Sequence, residues 1–374
     1  MDTYLGENTK KLGFGLMRLP KNGDVIDVEQ TKVMVDRFLE AGFTYFDTAY
    51  AYGGSEEAMK KALIERHPRE TYTVASKLAA WLCKSREEAE QQFETSLERS
   101  GAGYFDYYLL HNVGEHRTKY FDDFDIWGFA QDLKAQGKVR HVGFSFHSTP
   151  EELEEELTKH PEIEFVQLQI NYADWEEPSI KSKECYEVAR KHGKPVVIME
   201  PLKGGLLADP PESVAKIFTD KEPETPLPSW GIRFAASLPG VITVLSGMSS
   251  VEQMEQNISF MKDFKPLSDE EQELVAEARK EMASLPIIPC TSCNYCAKVC
   301  PMNIGISGTF YARNVLEIYK NPYVAGRRHS WLVDQHFKAH ATECIHCYAC
   351  VEVCPQHIQI PERLEECVEA LHIS

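Results

Sequence analysis

The chain has 374 residues, 43% hydrophobic and 26% charged, which suits one large domain plus a smaller one and requires no long disordered region. A formal net charge of −18 argues against nucleic acid as a partner and reads as a solubilising surface that could also steer a basic protein. The N-terminal stretch lacks a continuous apolar core, and no later segment approaches the ~20 uninterrupted apolar residues of a spanning helix, so the expectation is a cytoplasmic protein with no membrane partner.

From the N-terminus onward, short apolar runs alternate with longer amphipathic ones. Strands are predicted at 12–16, 44–48, 72–76, 106–111, 141–145, 166–170, 196–200 and 242–246. Helices are predicted between them, among others at 27–42, 55–67, 85–101 and 149–160, several opening on Asp, Ser or Thr and some ending at Gly. Eight βα units over about 250 residues predict a (β/α)8 TIM barrel in an α/β fold. A doubly wound open sheet is the alternative, but no G-x-G-x-x-G follows a first strand and opens a helix. Ser268 and Glu271 form a capping-box pattern at the start of a helix expected to close the barrel. The expected division is 1–284 for the barrel and 285–374 for a second domain, joined by the short, proline-stiffened stretch 284–289.

Chemistry in such a barrel sits where the strands end. Asp47 follows the second strand, Lys77 the third and His111 the fourth, with Tyr52 on the loop just beyond Asp47. A tyrosine, with an ordinary pKa of about 10, is a poor acid near neutrality. A neighbouring ammonium favours the phenolate, and a carboxylate keeps that ammonium charged and in place. Lys77 and Asp47 would fill those two roles beside Tyr52, while His111 could orient a substrate carbonyl. Trp81 and Trp175 fall on loops that either line a pocket or simply pack.

Beyond the barrel come two matching cysteine runs. The first is Cys290, Cys293, Cys296 and Cys300 followed by Pro301; the second is Cys344, Cys347, Cys350 and Cys354 followed by Pro355. This is the spacing of bacterial ferredoxin runs, in which three thiolates hold three corners of a 4Fe-4S cubane and the fourth serves the other cluster. Cys290, Cys293, Cys296 and Cys354 are accordingly assigned to one cluster, and Cys344, Cys347, Cys350 and Cys300 to a second. Structural zinc sites also use Cys-x-x-Cys pairs, but not this doubled pattern. Cys83, Cys185 and Cys367 read as buried or incidental thiols. The stretches 307–320 and 330–343 between the runs are compatible with helix, so the module resembles an α-helical ferredoxin domain.

Asp47-Thr48-Ala49, Tyr52-Gly53, Ser55-Glu56, Ser76-Lys77 and Leu110-His111 together closely resemble the aldo/keto reductase superfamily, from about residue 10 to residue 262. With the cysteine module, the whole chain resembles its iron–sulfur branch. The resemblance implies that Tyr52 protonates the forming alkoxide, that Lys77 and Asp47 tune it, and that His111 orients the substrate. It also implies an NADPH or NADH site. Gly15, Leu16 and Met17 lie in its opening GFGLMRLP, and Ser145 and Gln169 fall where the family binds the nicotinamide carboxamide. Phe146 stands where that family often has Asn, and Met199 where an aromatic commonly stacks. Glu200, Pro201, Leu202 and Gly204 resemble the pyrophosphate loop. Gly247, Met248, Ser249, Gln253, Gln256 and Asn257 resemble the adenosine site, with no Arg or Lys of their own to read a 2′-phosphate.

The function expected is reduction of an aldehyde or ketone by hydride transfer, with the clusters moving electrons between the barrel and another substrate or an electron-transfer protein. Two alternatives stay open: the same reductase with structural clusters, and a non-catalytic redox sensor or electron-transfer subunit. The substrate, the choice of NADH or NADPH and any need for a flavin are not legible.

Overall fold

The computed structural model describes residues 5–6, 8–114, 117–177, 180–320, 322–334 and 338–373. Eight parallel strands close into a barrel: β1 Leu12–Gly15, β2 Tyr45–Asp47, β3 Thr73–Leu78, β4 Phe105–Val113, β5 Val139–Phe146, β6 Phe165–Gln169, β7 Val196–Met199 and β8 Val241–Ser246. Their order round the ring follows the sequence, β1 pairing with both β2 and β8.

Side-chain alternation explains what fills the lumen. Tyr45, Ala75, Tyr107, Leu109, Phe165, Val197, Ile242 and Leu245 pack there as one apolar plug. Asp47, Lys77, His111 and Gln167 each lie two residues beyond a plug residue on their strands, so the same pleat turns them inward nearer the strand ends.

The outer faces of the strands pack on amphipathic helices. Val28–Glu40 buries Met34, Val35 and Phe38, and Phe38 joins an aromatic cluster with Phe14, Phe43 and Phe46 at ring-centre distances of 5.2–5.8 Å. Truncating a core ring of this kind costs about 3–5 kcal/mol. The expected caps form: the side chains of Asp27, Ser85 and Thr149 accept from the backbone N–H groups of Gln30, Glu88 and Glu152. Gly101, at φ 65°, ends Arg86–Ser100 in the left-handed conformation that glycine adopts without strain. One helix departs from expectation. Ser55–Met59 is α-helical but continues as a π-turn through Lys60–Ile64, where Glu65 N–H reaches Lys60 O over 3.0 Å, the mark of one inserted residue.

The chain divides into two compact units. The first comprises the chain up to Glu176 with Lys181–Pro201 and Ser229–Asp269; the second comprises Glu177–Ile180, Leu202–Pro228 and Glu270–Ser374. The second therefore takes in a loop that follows β7 in sequence. Its core gathers Ile288, Ile304, Ile306, Phe310, Ile358, Ile360 and Leu364. Asn314 ties the linker to this unit, its side-chain amide donating to Ile288 O over 2.7 Å and accepting from Ile288 N–H over 2.8 Å. Between the cysteine runs lie helices Ile306–Tyr319 and Pro322–Leu332. The second expected stretch, 330–343, is helical only as far as Leu332. Val333 is fully buried and its carbonyl accepts from Lys338 N–H over 3.0 Å, folding the chain back, while residues 335–337 lie outside the described residues. Among the described residues no helix is long and apolar enough to cross a membrane.

Candidate functional site

Lys77 is wholly enclosed and donates to Asp47 Oδ1 over 2.5 Å and to Thr48 O over 2.7 Å. Gln167 donates to the other Asp47 oxygen over 3.2 Å. Burial pulls the Lys77 pKa down and pushes that of Asp47 up, and the attraction between the two charges opposes both shifts. The Lys77 ammonium lies 4.9 Å from the centre of the Tyr52 ring, and the Tyr52 and His111 rings meet edge to face at 5.7 Å. Asp47, Lys77 and His111 from the strand ends and Tyr52 from the adjoining loop thus converge.

Trp81 extends the wall, with its ring 5.1 Å from His111 and the Arg117 guanidinium 4.7 Å from its centre. Trp175 instead packs against Tyr186 and Phe234, each at 5.6 Å. Arg117 belongs to no strand end, so the strand pattern of the sequence does not mark it.

The residues matched to the cofactor fall into groups. Ser145 Oγ accepts from Asn112 N–H over 2.7 Å, where Asn112 takes φ 60° at an irregularity in the β4–β5 pairing. Gln169 donates to Asp174 over 3.1 Å, and Asn171 donates to the same carboxylate oxygen over 2.8 Å. Asn171 and Asp174, three residues apart, form a local polar motif in which Asp174 N–H also donates to Asn171 Oδ1 over 2.9 Å. Phe146 is buried against Phe144, which packs on Trp127 of helix Ile126–Ala135, so its ring faces the helical layer. Met199 is half-buried opposite Gln169.

Gly15 ends β1, and Leu16 and Met17 open the turn Leu16–Arg18. The segment after β8 folds against this turn: Ser249 Oγ donates to Arg18 O over 2.7 Å, and a β-carbon on Gly247 would lie 3.4 Å from Arg18 Cδ. Met248 is buried, and Asn257 donates to Ser246 Oγ over 2.7 Å, whereas Gln253 and Gln256 are exposed. Arg18 also meets Glu200 at 3.6 Å. The segment has no cation of its own, yet the fold brings one to it from more than 200 residues away. Pro201 follows Glu200 in the first unit, whereas Leu202 and Gly204 belong to the second.

In the second unit, Cys290, Cys293, Cys296 and Cys354 line one cavity, and Cys300, Cys344, Cys347 and Cys350 line another. The two runs share a backbone pattern. Ser292, Asn294 and Asn303 have positive φ at the second, fourth and thirteenth residues after Cys290, and His346, Tyr348 and His357 repeat this after Cys344. Asn303 N–H donates to Cys300 O over 3.2 Å, as His357 N–H does to Cys354 O over 3.0 Å. Left-handed Ser292 and Tyr348 are strained, and such strain persists where surrounding structure requires it. In the first run it helps turn Ser292 N–H onto Cys290 Sγ at 3.4 Å.

Burial raises the thiol pKa of Cys290 to about 12 and that of Cys350 to about 11. Thiolates crowded at such sites need compensating positive charge, which fits a donor set for iron. Cys83, Cys185 and Cys367 are buried and lie outside both sets.

Residues 11–280 match the model of the aldo/keto reductase family, and residues 289–358 that of a 4Fe-4S dicluster domain. An aldo-keto reductase of Mycolicibacterium vanbaalenii is 28% identical over 251 residues, 66% of this chain and 83% of the relative. The holo form of an aldo-keto reductase from Bacillus halodurans superposes with a TM-score of 0.59 at 25% identity, covering 72% of this chain and 91% of that one. A Klebsiella pneumoniae aldo-keto reductase solved with NADPH gives 0.59 at 22% identity, covering 72% and 90%. The family match spans most of the chain and coincides with a closed barrel bearing Asp47, Tyr52, Lys77 and His111 at one end; the chain belongs to the aldo/keto reductase family of oxidoreductases and carries a 4Fe-4S dicluster domain at its C-terminal end.

Proposed function

We propose that the protein reduces an aldehyde or ketone with NADPH, and that its two cysteine sets hold two 4Fe-4S clusters that carry electrons. The observation that carries the reading is the convergence of Tyr52, Lys77, Asp47 and His111 at the ends of neighbouring strands. A bound nicotinamide would supply the hydride to the carbonyl carbon. As the carbonyl electron pair moves to oxygen, the Tyr52 hydroxyl supplies the proton. Lys77 stabilises the phenolate left behind, Asp47 and Thr48 O hold Lys77 in place, and His111 orients the carbonyl oxygen.

Arg18, beside the segment after β8, supports a preference for NADPH over NADH, since a guanidinium suits a phosphate. The cysteine sets would pass electrons singly when loaded. Cys347 is exposed, whereas Cys296, Cys350 and Cys354 are buried, so the set containing Cys347 offers an approach for an electron-transfer protein. Eight thiols kept apart for iron suit a reducing compartment, and we place the protein in the cytoplasm.

The test is anaerobic oxidation of NADPH and NADH against a panel of aldehydes and ketones, comparing wild type with Tyr52→Phe. The reading requires turnover that falls at least about a hundredfold in the variant. Equal rates in the two proteins, or no turnover with any carbonyl, would sink it.

A further inference from the structure

The loop that follows β7 holds an unexplained close approach. Its first turn, Lys203–Gly205, belongs to the second unit and carries three successive positive φ angles: 47° at Lys203, 69° at Gly204 and 102° at Gly205. A β-carbon on Gly204 would stand 2.5 Å from Thr291 O and 2.8 Å from Thr291 C and Cα, all backbone atoms. Thr291 is 2% exposed and lies between Cys290 and Ser292 in the first cysteine run. Lys203, only 5% exposed, is held left-handed despite its side chain, a strain the chain bears where surrounding structure demands it. In barrels of this type the loops after the seventh and eighth strands commonly hold the phosphates of a ligand.

We propose that the Gly204–Thr291 contact makes Gly204 a positioning residue, so that loading the Cys290, Cys293, Cys296 and Cys354 set and binding a nucleotide's phosphates at the loop after β7 favour each other. The coupling rests on the reductase reading above, because it needs a nicotinamide nucleotide as ligand. It is reciprocal: whatever affinity the loaded set adds for the nucleotide, the nucleotide adds for the loaded set. No electron need pass for it to operate. A substituent at Gly204 pushes the loop off the Thr291 backbone and breaks the link, whereas Gly205, equally left-handed, has no atom within 4 Å of its β-position.

The experiment uses full-length, iron-loaded protein under anaerobic conditions, with NADP+ and NAD+ as probes because neither can reduce a cluster. Nucleotide Kd, iron content and visible circular dichroism of the oxidised clusters are read for wild type, Gly204→Ala, Gly205→Ala and, as a control in an open helical position, Gly326→Ala. In wild type, nucleotide should alter the cluster dichroism. In Gly204→Ala the Kd should rise about tenfold and the dichroic response should vanish. Gly326→Ala should behave as wild type, and Gly205→Ala, strained at φ 102° but with nothing within 4 Å of its β-position, should keep the dichroic response that Gly204→Ala loses.

Wild-type affinity and dichroic response in Gly204→Ala overturn the proposal, as does a Gly205→Ala variant matching its defects, which would trace them to backbone strain alone. Iron lost from Gly204→Ala together with affinity supports coupling; iron lost with affinity unchanged refutes it. If Gly204→Ala does not fold, wild type is compared as isolated and after reconstitution with iron and sulfide. Affinity that rises with iron occupancy then supports the coupling, and affinity independent of occupancy overturns it. Wild type that turns over a carbonyl with NADPH while its Kd ignores iron leaves the reductase reading standing and the coupling refuted; wild type that binds neither nucleotide removes both.

Discussion

Lys77 stands 4.9 Å from the centre of the Tyr52 ring with its ammonium fixed on Asp47 at 2.5 Å. A positive charge enclosed this fully has no solvent to soften its field, so its effect on the phenol is larger than at a surface. Lys77→Met should lower kcat by about 10²–10⁴-fold. Asp47→Asn should retain the fold while leaving Lys77 without its carboxylate partner, lowering the lysine pKa further. Activity should then fall off at a lower pH on the alkaline side than in wild type, as pH–rate profiles of kcat would record. Identical profiles would remove Asp47 from the proposed mechanism.

Arg18 provides a second test. Arg18→Gln should raise the KM for NADPH about tenfold and leave that for NADH within about twofold, since only the phosphate loses a charged partner. Steady-state kinetics with both nucleotides check this, and an equal rise for the two would show that Arg18 acts through Glu200 and the loop geometry instead.

The crossed ligand sets predict which site each thiol serves. Loaded protein should contain about eight iron atoms per chain. Cys354→Ser should perturb the same electron paramagnetic resonance signal as Cys293→Ser, and Cys300→Ser the same one as Cys347→Ser. Were Cys354→Ser to resemble Cys347→Ser, each run would be serving its own cluster.

Glu156 gives a pH effect away from the site. Burial raises its carboxyl to about 7, Lys159 at 3.8 Å opposing the shift and Asp122, Glu152 and Glu155 reinforcing it. Folding therefore takes up a proton between the ordinary value of 4.5 and about 7, so this group's penalty is absent below that window and complete above it. Glu156→Gln should stabilise the protein by on the order of 1–3 kcal/mol at mildly alkaline pH and by little at acid pH. Thermal unfolding at both pH values measures the difference; a gain independent of pH would exclude the buried charge as its cause.

The barrel and the Asp47, Tyr52, Lys77 and His111 group were legible because both are local patterns. A pleat alternates with period two, and a strand end is marked by the change of period into a helix. Helix caps at Asp27, Ser85 and Thr149 were legible for the same reason. What local pattern cannot carry is proximity between distant residues. Arg18 reaches Ser249 only after the ring has closed. The stretch Leu202–Pro228 reads as an ordinary βα connection, yet it belongs to the second unit. Asn112 is of a type that tolerates a left-handed turn, but nothing nearby in sequence requires one there.

The repeated φ angles of the cysteine runs make each the structural double of the other, and each lends its last thiol to a cavity lined mainly by its double. The two halves are therefore clasped like a pair of hooks, and neither is a complete trap alone. A fragment holding only one run would place three of its four thiols at one site, where four are wanted, so metal uptake should be a single cooperative event: the chain should be found full or empty, with little that is half loaded.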